Sequence, residues 1–273
     1  MSQLDGSAIE QIKSLTLAAS FLHKVEGTDC PVAVLPKDVG LHSLENYYDN
    51  RFRFRGYMDT TSIEDFVKYS SDYAGSGVRC FIDADRMQAE TIFNLGTLDN
   101  PGHADNKAAI TLKKTAPFTG LLEINGRKQG QKELAEWLED NRDFLLAFDA
   151  DGNVLDIKQA VGAVRRITIE SISTSDHEEN DFSGKRSLME SVEAKSKDVM
   201  PAAFEFKCVP YEGLSERPFK LRYSIITSDK PLLVLRIVQL EAVEEEIAAE
   251  FRDLLISKFD GVEVESFIGK FKA

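Results

Sequence analysis

The chain is poor in the residues that usually announce chemistry. It holds three cysteines, four histidines and one tryptophan in 273 residues. Cys30, Cys80 and Cys208 are odd in number and far apart, which excludes a disulfide framework and offers no metal-ligand spacing. Buried or idle thiols in a reducing compartment are the expectation. Cys208 has no histidine close in sequence to serve as its base, so it reads as a core thiol rather than a nucleophile. Walker A, GxSxG, HExxH and CxxC patterns are absent. A regular βαβ alternation, a glycine fingerprint, an internal repeat and a heptad series are absent too. The first residues, MSQLDGSAIEQIKSL, contain no basic segment leading into an apolar one, so no signal peptide is expected. The longest apolar run, 231–238, is interrupted by Arg236 and falls short of the ~18 residues a membrane helix needs. These absences predict a cytoplasmic protein with no membrane contact, no cofactor and no bound metal.

What the chain has is acid. Its 46 acidic residues against 33 basic ones give a net charge of -13. Such a surface repels nucleic-acid phosphates unless a local basic patch overcomes the field. Direct nucleic-acid binding is therefore disfavoured. Acidity also keeps a protein soluble, and a sharper alternative is that an acidic face competes with nucleic acid for a basic protein. Apolar residues make up 42% of the chain, enough Leu, Ile, Val and Phe to bury a core.

Periodicity predicts an α+β fold, mainly antiparallel, with helices gathered at the ends. Residues 8–22 read as a helix with Ser7 as its N-cap and Ile9, Ile12 and Leu15 on its apolar face. Residues 32–35 read as a short strand. Thr61 or Ser62 caps a helix that carries Ile63, Phe66 and Val67 and stops at Gly75. Strands at 78–82, 91–95 and 109–112 suggest an antiparallel meander. A helix spans 132–140. The run 149–153 resembles a calcium loop but has its glycine at the wrong place, so it reads as a turn before a helix at 154–164. A strand at 165–173 precedes a polar segment, 174–187, expected to be an exposed loop. Residues 188–197 fit strand and helix equally. Strands at 203–209, 219–227 and 232–240 form an antiparallel unit. A long amphipathic helix, 243–259, buries Val243, Ile247, Phe251, Leu254, Leu255 and Phe259 and stops at Gly261. A short terminal strand follows at 262–271. One domain over 1–273 is expected, with subdomains at about 1–150 and 151–273 as the alternative division.

Two constellations carry candidate chemistry. Asp83 and Asp85 close one strand, while His103, Asp105 and Asn106 lie in a loop just before another. If those ends meet, carboxylates and an imidazole converge as an acid–base or metal site requires. The competing reading is strand-end capping and a structured turn. The second constellation is Arg51, Arg53 and Arg55, which alternate with Phe52 and Phe54. On a strand this alternation puts three arginines on one face, as a nucleic-acid or subunit contact would. The competing reading is a solvated strand face.

Several segments together resemble the YfdQ-like family of tailed phages and prophages, a family of unknown function. They are Arg53-Phe54-Arg55-Gly56, Asp65-Phe66-Val67, Phe81-Ile82-Asp83, Asn94-Leu95-Gly96, Pro101-Gly102-His103-Ala104-Asp105-Asn106, the stretch from Ala135 to Asp140, and Cys208 to Leu214. The resemblance runs over nearly the whole chain, with PGHADN and PYEGL as its most specific parts. It implies a bacterial cytoplasmic or phage-infection setting among early-region accessory functions, and it supplies no catalytic residue. The function expected first is a non-enzymatic accessory protein that assembles with itself into a homo-oligomer. The alternatives are an acidic inhibitor of a host defence or DNA-processing enzyme, and a metal-dependent hydrolase or nuclease using Asp83, Asp85, His103 and Asp105.

Overall fold

The computed structural model describes residues 5–21, 49–51, 53–167, 199–226 and 232–272. The strand expected at 32–35, the loop at 174–187, the ambiguous segment 188–197 and residues 168–173 of the expected strand lie outside the described residues. The chain forms two compact units, 1–54 and 55–273.

In the first unit, helix α1 (Gly6–Phe21) starts two residues earlier than the apolar spacing suggested. Its N-cap is Asp5 rather than Ser7. The Asp5 carboxylate accepts the Ser7 backbone N–H at 2.9 Å, and this bond holds the carboxyl below its ordinary pKa. A carboxylate at this end also faces the positive pole of the helix.

The second unit contains two sheets. Strand β1 (Gly56–Thr60) leads to helix α2 (Ile63–Asp72), then to β2 (Arg79–Asp83), β3 (Gln88–Ile92) and β4 (Asn106–Thr111). Ser62 is the α2 N-cap and accepts from the Asp65 N–H at 3.2 Å, with Glu64 and Asp65 favourably placed in the first turn. Strands β2, β3 and β4 form the expected antiparallel meander. Parallel strands then flank it: β1 beside β4, and the terminal strand β11 (Glu265–Ile268) beside β2. The order is β1-β4-β3-β2-β11.

After β4 comes helix α3 (Ala116–Ile124), which the sequence pattern hides. Pro117 and Gly120 are poor helix formers in general, but Pro117 falls in the first turn, where a missing N–H costs nothing. Thr115 caps the helix. The chain continues through β5 (Lys128–Gln129), α4 (Gln131–Asp140), β6 (Leu145–Phe148), β7 (Val154–Leu155), α5 (Ile157–Arg165), β8 (Ala203–Cys208), β9 (Arg217–Ile226) and β10 (Leu232–Ile237). The expected turn at 149–153 closes the β6–β7 hairpin. There Asp149 accepts backbone N–H bonds from Asp151 and Asn153, and Gly152 supplies the positive φ of 84°. Residues 154 and 155 belong to β7, so α5 begins three residues later than the periodicity suggested. The second sheet is wholly antiparallel, ordered β5-β10-β9-β8-β6-β7. Its pairings β5–β10 and β6–β8 join residues on either side of position 150.

One continuous core runs through both sheets. Phe118 meets Phe219 at 5.2 Å between ring centroids, Trp137 and Phe144 stack on Phe206, and Phe204 meets Tyr223 edge-on. The long helix α6 (Leu240–Lys258) buries Ile247, Phe251 and Leu255, and Phe259 at its end packs edge-on against Phe66 of α2. All four recur every fourth residue, which is why the pattern was legible. Phe251 is fully buried. Its replacement by alanine is expected to cost about 3–5 kcal/mol. A urea melt should show a lower midpoint with an unchanged slope; a shift within error would mean that α6 does not anchor this core.

Candidate functional site

The four acid–base candidates fall into two separated pairs. Strands β2 and β4 flank β3 in a meander, so they run the same way. Asp83 ends β2 and pairs with Gln88, which pairs in turn with Thr111 at the far end of β4. Asp105 immediately precedes β4, at the end where Ile92 pairs with Lys107. The four residue steps from Gln88 to Ile92 alone span about 13 Å. Asp83 and Asp85 therefore sit at one end of the sheet, and His103 and Asp105 at the other. Asp83 makes an ion pair with Lys270 at 2.8 Å, Asp85 lies exposed in a 3-10 turn (Ala84–Arg86), and His103 is exposed. No group of three or more His, Cys, Asp or Glu able to hold a metal occurs among the described residues.

The segment around His103 and Asp105 has a different, structural job. The Asn94 amide donates to Asp105 Oδ1 at 2.8 Å while its oxygen accepts the Asn106 N–H at 3.0 Å. The Asp105 carbonyl accepts from Gly56 at the start of β1. One knot of bonds thus ties β3, β4 and β1 together. The chain passes itself so closely here that a Cβ on Gly102 would lie 2.0 Å from the Asn94 carbonyl oxygen, and one on Gly96 2.4 Å from that of Asn100. Only glycine fits at these two positions.

The PYEGL segment is a second joint. The Thr115 N–H donates to the Pro210 carbonyl at 3.1 Å, the Thr115 hydroxyl donates to the Val209 carbonyl, and the Glu212 N–H donates to Lys113. Tyr211 packs against Phe118, and Gly213, at φ 90°, lies against Ile63 of α2. This segment fastens the exit of β4, in the first sheet, to the exit of β8, in the second. The two segments most specific to the resemblance are therefore architectural.

The arginine row does not lie on a strand. Regular pairing starts at Gly56; residues 51, 53, 54 and 55 are irregular, and Phe52 lies outside the described residues. Arg51 and Arg53 belong to the first compact unit and Arg55 to the second. Period-2 alternation makes a strand only where a partner strand accepts its hydrogen bonds, and β4 pairs with 56–60 instead. Cys80 and Cys208 are buried, and burial pushes both thiols up to about 12, leaving no thiolate at neutral pH.

Sequence reasoning missed the outward faces of the two sheets. On the first, Phe81 of β2 is stacked between Phe267 and Phe271 at 5.6 and 5.2 Å. Beside this stack lies a shallow groove of 260 Å³ bordered by Tyr57, Glu90, Thr111, Lys270 and Phe271. It is smaller than the ~300–1,000 Å³ of a typical small-molecule site. At the sheet's edge, β11 exposes Phe267 (43%) and Ile268 (70%). On the second sheet, the outward face carries a basic group beside exposed Leu146, Val154 and Ile226. Lys128 of β5, Lys207 of β8, Lys220 and Arg222 of β9 and Arg236 of β10 are all exposed, against one acid, Glu205. The alternation of Phe219, Leu221 and Tyr223 with Lys220 and Arg222 is the signal that could have found this face.

A charged clamp fixes α6 to the start of β9. Arg217 donates to Glu246 and Glu250, both at 2.8 Å, and the Ser215 N–H donates to Glu250. Burial raises the Glu250 pKa, but the bonds from Arg217 and Ser215 outweigh it and hold the carboxyl below its ordinary value. A depressed carboxylate pKa stabilises the fold above the ordinary glutamate range, and that stability is lost as pH falls through the folded value. Glu250→Gln should lower the melting temperature at pH 7 and flatten its decline between pH 5 and 3. A decline as steep as wild type would assign the acid sensitivity elsewhere. At the loop, Asn94→Ala would remove one donor from Asp105 and the acceptor of the Asn106 N–H and should cost roughly 1–3 kcal/mol by chemical denaturation. A neutral result would show that the knot does not hold the three strands.

The family described as an uncharacterized conserved protein, DUF2303, matches residues 5–271, so the chain belongs to that family. No curated protein and no solved structure gives a significant match.

Proposed function

We propose that this DUF2303 protein is a non-enzymatic accessory protein that assembles with itself. Its setting would be the cytoplasm of a bacterium during phage infection or prophage carriage, as the YfdQ-like resemblance implies. The observation that carries the assembly reading is strand β11. It closes one end of the five-stranded sheet, and among the described residues it pairs only with β2. An open edge is a template for another strand, and folded proteins usually blunt it with charge or proline. Here the one charge on the strand, Glu265, is engaged by Arg79, and the rest of the edge carries Phe267 toward one face and Ile268 toward the other. Addition of the same strand from a second copy would satisfy the free backbone groups and cover both side chains, in a self-complementary two-fold contact.

The separation of Asp83 and Asp85 from His103 and Asp105 supports a reading without acid–base chemistry. The structural work done by PGHADN and PYEGL supports it as well, because the most specific segments are already accounted for by the fold. Light scattering on size-fractionated protein at micromolar concentration is expected to give a mass above that of one 30.5 kDa chain. Ile268→Lys places a charge at an exposed position, so the chain should fold while its mass falls. An unchanged oligomer in this variant would remove the edge from the account; a wild-type monomer would remove self-assembly.

A further inference from the structure

One face of the chain gathers basic side chains against the overall charge. On the outward face of the six-stranded sheet five basic side chains meet one acidic one, although the chain as a whole has 13 more acidic than basic residues. The register sets the basic groups side by side. Arg236 lies directly across from Arg222, Lys220 is two residues along β9, and Lys128 pairs with Val234, two residues from Arg236. Lys207 makes an ion pair with Glu216, and Arg222 has interactions of its own. Lys128, Lys220 and Arg236 are the groups on which a partner would rest. Half-buried aliphatic Val234 sits among them. An exposed aromatic ring, which single-stranded nucleic acid would use for stacking, is missing from this face among the described residues.

A cluster of the opposite charge opens α6. Glu241, Glu244 and Glu245 are all exposed on its first turns. The helix dipole accounts for an acid in the first turn, Glu241, but its influence fades beyond it. Glu246, the next acid, already belongs to the Arg217 clamp. Glu241 and Glu245 are one helical turn apart, about 6 Å along the axis. Lys220 and Arg236 are diagonal neighbours on paired strands, about 7–8 Å apart. Exposed Ala242 lies next to Glu241 and lets the helix approach the sheet closely.

We propose that the basic sheet face of one copy receives the acidic first turns of α6 from a second copy, with Lys220 and Arg236 meeting Glu241 and Glu245. The contact joins two unlike surfaces, the outward face of β9 and β10 and the start of α6, which follow one another closely in the chain; reciprocated about a two-fold it closes a pair, and unreciprocated it builds rings or open chains. It deepens the self-assembly reading and rests on it, but it is separate from the β11 edge. An ionic contact weakens as salt rises, whereas a backbone-paired edge does not depend on long-range charge.

The test is a charge swap followed by sedimentation velocity at low and high salt. Lys220→Glu with Arg236→Glu, and separately Glu241→Lys with Glu245→Lys, should each weaken association about tenfold or more. All four positions are exposed, and thermal melts confirm that each variant folds. An equimolar mixture of the two variants should recover assembly, because the acidic face of one then meets the basic ridge of the other. Loss in both variants without recovery on mixing would overturn the pairing, and so would undiminished assembly in both. If Ile268→Lys abolishes assembly and the charge reversals do nothing, the ionic contact fails while self-assembly stands. A wild-type chain that is monomeric at every salt concentration defeats both. Binding of an oligothymidylate that disappears with Lys220→Glu and Arg236→Glu, with self-assembly intact, would also overturn the proposal and assign the face to a polyanion.

Discussion

Every second residue of β9 must face the core, because a strand alternates its side chains and one face of this sheet is covered by helices. Phe219, Leu221 and Tyr223 meet that demand and lie between the rings and aliphatics of β8 and β10. A slip of one residue would bury Lys220 and Arg222 and expose three aromatic or aliphatic side chains. Hydrophobic burial on one side thus fixes the charge pattern on the other. The same strand begins at Arg217, whose clamp with Glu246 and Glu250 sets α6 in place. From α6 follow the burial of Phe251, the contact of Phe259 with Phe66, and the return of the chain into β11. The two surfaces assigned here to assembly, basic face and open edge, are both downstream of that register.

The parts of the fold legible in the sequence are those with a sustained period. Strands β8, β9 and β10 alternate over six to ten residues, and α6 repeats its apolar residues over five turns. Helix α3 was hidden because its first turn holds a proline and its middle a glycine, and its nine residues are too few for a clear stripe. The arginine row at 51–55 shows the converse error. Its alternation is strict, yet strand formation depends on a partner elsewhere in the chain, which local sequence does not display.

The meander itself decides whether the candidate cluster converges. In three antiparallel strands the first and third run parallel, so the end of the first and the start of the third lie at opposite ends of the sheet. Asp83 and Asp105 occupy those positions. Recognising the meander was already enough to separate them. What the sequence could not display was the close self-approach at Gly96 and Gly102, which turns PGHADN into a knot of backbone bonds. A segment can be distinctive because the chain approaches itself closely there.

The account therefore moves function from a pocket to surfaces. Its central claim is that copies of the chain associate, and the most direct measurement is the solution mass of the wild-type protein by sedimentation equilibrium at micromolar concentration. The account predicts a mass above that of a single 30.5 kDa chain, decreasing as salt is raised from low to high. A mass of one chain throughout would contradict it.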